Sequence, residues 1–117
     1  MPTEDVLDPA VVADLRRAQD AFGNPTFIRQ LVDLFLFNTP GKMERIRQAL
    51  AAGDSEGVGQ AAHALRSNCG MLGAAQLAGA FVRMEEAAAR GDLAAAAVAF
   101  REAEQNLPFV LDALSAL

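Results

Sequence analysis

The 117-residue chain has no tryptophan, no tyrosine, one cysteine and one histidine. A single cysteine, Cys69, excludes an internal disulfide, and with one histidine it cannot supply a zinc site of the usual ligand number, so no metal site is expected. This sparing use of cysteine fits a cytoplasmic setting. No window reaches the roughly 20 apolar residues a membrane span needs, and Met1 to Asp8 is acidic where a secretion signal is basic. Cations are also few: 10 Lys and Arg stand against 15 Asp and Glu, a net charge of −5. Without a basic face there is no footprint for a phosphate backbone, and nucleic acid is not an expected partner. A Gly-x-x-x-x-Gly-Lys loop and any nucleotide-binding glycine cluster are also missing.

What is present is 52% hydrophobic and rich in alanine, a composition of closely packed helices rather than of a sheet. The length suits one domain with one core, taken as residues 1–117 with a flexible start over 1–7. Asp8 and Pro9 read as an N-cap and first helical position, opening a short helix with Val11, Val12, Leu15 and Ala18 inward and Gly23 as its stop. Asn24 and Pro25 repeat the start signal, and Phe27, Ile28, Leu31, Leu34 and Phe35 follow at helical spacing. Pro40 predicts either a kinked long helix or two stacked ones, resumed by Met43, Ile46 and Leu50.

Gly53 and Asp54 separate a third helix, about Ser55 to Met71, and Gly73 separates a fourth, about Ala74 to Arg90, with Leu77, Phe81, Met84 and Ala88 on one stripe. Gly91 and Asp92 precede a last helix whose buried face is read as Leu93, Ala97, Phe100, Leu107, Leu111 and Leu114, with Pro108 kinking or splitting it. Short turns imply antiparallel neighbours. The expected fold is all-α: an antiparallel up-down four-helix bundle capped by the first short helix. A monomer is expected, although Phe22, Phe37, Leu114 and Leu117 are available for contacts.

The third helix has two faces. Ala62, Leu65, Cys69 and Leu72 recur at steps of three and four and form a core seam. Gly59, His63, Arg66, Ser67 and Gly70 share the other side, so the only histidine points to solvent. Small neighbours leave its imidazole above a cleared surface, Arg66 is a cation one turn away suited to a phosphoryl group, and an exposed imidazole is largely neutral at cellular pH, with a free lone pair. No second histidine or carboxylate constellation around His63 is evident as a catalytic base. Periodicity alone leaves open a solvated surface histidine, small residues that serve helix packing, and an Arg66 paired with a carboxylate. An enzyme using Cys69 with His63 fails, because six residues along a helix put the two on different faces.

The run His63-Ala64-Leu65-Arg66-Ser67, followed by Leu72-Gly73-Ala74, Met84-Glu85 and Gly91-Asp92, resembles the signature of histidine-containing phosphotransfer (HPt) domains. The family motif reads His-x-Leu-Lys-Gly-Ser, then Leu-Gly-Ala. Here Arg66 replaces lysine, Ser67 stands where glycine is usual, and Asn68 and Cys69 replace small hydroxyl residues. Helix order agrees over nearly the whole chain, and the specific part is Ala61 to Asp92.

The resemblance implies a phosphocarrier rather than an enzyme, with His63 as phosphoacceptor between the aspartates of response-regulator receiver domains. A partner receiver would supply the catalytic groups and Mg2+, and no cofactor is expected on this chain. Arg66 and Ser67 would contact the phosphoryl group or partner, and Gln60, Ala64 and Gly70 would complete a docking face bordered by the second helix. The partner receiver is that of a two-component system, including a hybrid sensor kinase whose cytoplasmic end this domain would form. Two rivals share the resemblance: a docking scaffold that is never phosphorylated, and a domain fed directly by a histidine kinase catalytic domain.

Overall fold

A computed structural model describes residues 6–117. The expected flexible start falls mostly outside them, but Leu7 is buried in the core and Val6 packs against it, so these two do not belong to a loose end.

Five helices and no strand occur among the described residues: α1 (Pro9–Phe22), α2 (Phe27–Ala52), α3 (Ser55–Met71), α4 (Ala75–Ala89) and α5 (Leu93–Ser115). Their starts are made locally. The Asp8 carboxylate accepts from the Ala10 amide at 2.9 Å ahead of Pro9, the Asp54 carboxylate from the Gly57 amide at 2.9 Å, and the Asp92 carboxylate from the Ala95 amide at 3.0 Å. Each cap satisfies an amide that the helix cannot.

Both proline questions resolve toward continuity. α2 runs 26 residues through Pro40, and α5 runs 23 residues through Pro108. Both rings lie on the exposed side of their helices, where water can take up the carbonyl that proline leaves unbonded. Next to Pro40, the buried Thr39 hydroxyl donates to the Phe35 carbonyl at 2.6 Å, so its own burial leaves no polar group unpaired.

α3 packs between α2 and α4, α4 continues onto α5, and α5 returns to α2, while α1 lies against α2. Ile46, Leu65, Leu77, Met84 and Phe81 are at most 1% exposed at the centre of this arrangement. Each such side chain contributes about 1.5–3 kcal/mol of transfer free energy. Alanines at Ala62, Ala80, Ala96 and Ala103 are wholly buried between helices and let the backbones approach. Arg47 adds a tie across α2 and α5, bonding Glu44 and, at 2.9 Å, Glu104, with its guanidinium 5.4 Å from the Phe100 ring centre. Its half exposure leaves these ion pairs screened by water, so they add little to stability.

Two expected core faces shift. Leu34 is 58% exposed rather than inward, because α2 buries Ile28, Val32, Phe35, Thr39, Met43, Ile46 and Ala49 and leaves Leu34 on the flank. On α5 the seam runs through Ala96, Ala99, Phe100, Ala103, Val110 and Leu114; Ala97 lies beside it, half-buried. A one-residue error on a 3.6-residue repeat rotates the assigned face by about 100°. No described helix is long and apolar enough to cross a membrane.

Candidate functional site

The seam that holds α3 in place is the one its sequence indicates: Ala62, Leu65 and Cys69 are inaccessible and Leu72 is 2% exposed. Burial raises the Cys69 thiol pKa to about 12, so this sulfur stays protonated and takes no part in surface chemistry. With that side fixed inward, His63 is turned outward, its side chain 56% exposed.

α4 brings a partner to the imidazole. Met84 is fully buried against the core, and the next residue, Glu85, reaches across to α3 with Oε2 2.8 Å from His63 Nδ1. Arg66, one turn along α3, places Nη2 3.1 Å from the same Nδ1 and Nη1 3.5 Å from Glu85 Oε1. That Oε1 is shielded from water and makes no hydrogen bond. Two charged side chains from two helices thus converge on one ring nitrogen, and Nε2 is the nitrogen left unengaged.

The remaining predicted residues divide. Gly70 faces open space, and Ser67 is exposed, so both leave room beside the ring. The Ser67 hydroxyl donates to the His63 backbone carbonyl at 3.3 Å and not to the imidazole. Gly59 borders α4: a β-carbon there would sit 3.6 Å from the Ala88 methyl, an ordinary contact, so the packing does not itself demand glycine. Gln60 is exposed and Ala64 half-buried. Gln60, Ser55, Glu56 and Gly59 line, with His63, Glu85 and Ala88, a shallow groove of about 460 Å³ beside the imidazole.

Sequence reasoning missed Glu85. It found no carboxylate near His63, although Met84-Glu85 was already part of the quoted signature. Among the described residues, no three His, Cys, Asp or Glu side chains are grouped so as to hold a metal ion.

Fold and site together define a class: an all-α domain that presents one histidine, backed by a carboxylate, where another protein can reach it. The family model described as Hpt domain matches residues 30–117, and the chain belongs to that family. Its members are phosphocarriers of two-component phosphorelays rather than catalysts. Among solved structures, the chain is similar to histidine-containing phosphotransfer protein B (HptB) from Pseudomonas aeruginosa PAO1, with a TM-score of 0.86 and 26% identity, over 97% of this chain and 94% of that one. No curated protein matches the sequence at a significant level.

Proposed function

We propose that His63 accepts a phosphoryl group from the aspartate of one receiver domain and passes it to the aspartate of another. The observation that carries this reading is a single imidazole, 56% exposed, on a helix whose opposite seam is fully buried. In the accepting step the Nε2 lone pair forms a bond to phosphorus while the phosphorus–oxygen bond to aspartate breaks, and the carboxylate leaves with that electron pair. The reverse step returns the group to a second carboxylate. Positioning and charge neutralisation govern such transfers. Arg66 supplies one cation from this side, and the other groups, Mg2+ included, are left to the receiver.

The docking face is the exposed side of α3 at Gln60, Ala64, Ser67 and Gly70, where small side chains permit close approach. We take α2 to α5 as an up-down antiparallel bundle with α1 as its cap, a reading supported by the short connections and the cyclic packing order. The domain acts as a monomer in the cytoplasm in this reading.

Incubation with a receiver domain carrying labelled phosphate tests it. The expected result is acid-labile, base-stable label on this chain, absent from His63→Gln. Label that persists in His63→Gln overturns the assignment, as does efficient labelling by a kinase catalytic domain with no receiver present.

A further inference from the structure

Where α1, the start of α2 and the end of α5 meet, the packing leaves a cleft of about 340 Å³. Its lining is of two kinds. Ile28, Val32 and Leu114, each at most 7% exposed, give it an apolar side, while Arg16, Arg29 and Asp33 bring charge to its rim. No lining residue comes from α3 or α4, so the cleft is separate from the face that presents His63.

Local bonds hold the cleft in shape. α1 has no buried residue of its own, but its last turns are fixed to the start of α2. The Gln19 side-chain oxygen accepts from the Ile28 amide at 3.0 Å, and Phe22 meets Phe27 edge to face with 5.2 Å between ring centres. Gln19 also lines the cleft, and with its oxygen engaged its amide nitrogen is the group left to donate. Arg29 and Asp33 stand one turn apart on α2, the spacing of a helical ion pair. Among the described residues, however, neither they nor Arg16 form an ion pair, whereas Arg17, Arg47, Arg66 and Arg83 each do.

We propose that this cleft binds a free α-amino acid with an apolar side chain. Arg16 and Arg29 hold its carboxylate, Asp33 holds its ammonium, and its side chain lies on Ile28, Val32 and Leu114. Each part of the lining then meets a group that complements it. A simple carboxylate would leave Asp33 facing an anion, and a simple amine would meet two guanidiniums. A residue inside a polypeptide has neither charge on its α-carbon. The size agrees: at about 30 Å³ per water molecule the cleft has room for roughly eleven non-hydrogen atoms, close to the bulk of phenylalanine. Because Arg16 belongs to α1 and Arg29 and Asp33 to α2, the ligand also fastens α1 to the bundle.

The charged rim is exposed to water, so the affinity is modest, with a Kd on the order of 1 mM for a ligand of about twelve non-hydrogen atoms. Titration of the full chain, labelled with nitrogen-15, with L-phenylalanine tests the proposal through amide shifts. The expected result is saturable shifts at Gln19, Ile28, Val32 and Leu114, and none at His63. 3-Phenylpropanoate and phenethylamine, each lacking one charge, should bind about two- to fivefold more weakly, the range that exposed ion pairs give. The same loss is expected in Arg29→Gln and in Asp33→Asn, whose exposed positions leave the core intact. Glycine, without an apolar body, should not shift these amides, and the unfolding temperature should rise with phenylalanine but not with glycine. The absence of saturable shifts, shifts centred on α3, equal affinity for either one-charge analogue, or an unchanged Kd in both variants overturns the proposal.

Discussion

Gly73→Ala is expected to destabilise the domain by about 2–5 kcal/mol, more than the same change at another left-handed glycine. Gly73 has φ +79, and an added β-carbon would lie 3.0 Å from Val11 Cβ and 3.2 Å from the Asp8 amide nitrogen. The left-handed backbone by itself accounts for about 1–2 kcal/mol with a side chain present. Crowding against α1 adds about 1–3 kcal/mol, because the nearest atoms are a branched carbon and backbone rather than a flexible tip. It also strains the bond by which the Asp8 amide donates to the Gly73 carbonyl at 2.8 Å. Gly53→Ala is the control: φ is +70, and nothing lies within 4 Å of its added carbon. The entropy that alanine removes from the unfolded chain is common to both variants and cancels in the comparison. Urea unfolding followed by circular dichroism supplies both free energies. Equal losses at the two positions would refute the claim that α1 is locked to the α3–α4 turn through this residue.

Two further outcomes follow from other parts of the fold. Burial holds the Cys69 thiol at about 12 against 9.0 in the unfolded chain; the raised value means that its stabilisation is complete below about pH 9 and is lost as pH climbs toward 12. The urea midpoint should therefore fall across that window and fall less in Cys69→Ala, and equal slopes would contradict it. Asp54→Ala, which removes the acceptor 2.9 Å from the Gly57 amide, should lower stability by about 1 kcal/mol; no change in the same urea assay would mean that water replaces the cap.

Periodicity was a reliable guide where a helix has one buried stripe. α3 shows this: Ala62, Leu65, Cys69 and Leu72 are as deeply buried as their spacing implies, and His63 is accordingly outward. It misled where apolar residues surround the helix. α2 carries Leu31, Leu34, Phe35, Leu36 and Phe37 within seven positions, and only tertiary contacts decide that Phe35 is 3% exposed while Leu34 and Phe37 are 58% and 84% exposed. On α5 the alanine run Ala94 to Ala97 offers no size difference from which to choose a face. Pro40 and Pro108 left kink and break both open because sequence does not tell which side of a helix meets water, and on the wet side a missing amide is tolerated.

The site divides along the same line. His63 and Arg66 were legible because their relation lies within one helix, where three residues fix a shared face. Glu85 was not, because its relation to His63 depends on how α4 is registered against α3. The connection from Leu72 to Ala74 sets that register: Gly73 turns the chain with its positive φ, and Leu72 and Ala74, 2% and 1% exposed, anchor the two ends in the core. Adding or removing one residue there would turn Glu85 about 100° away from α3 and leave Nδ1 to Arg66 alone. Leu72-Gly73-Ala74 lies nine residues beyond the histidine, yet this turn delivers the carboxylate to the ring, so the fold signature and the candidate site are physically one feature.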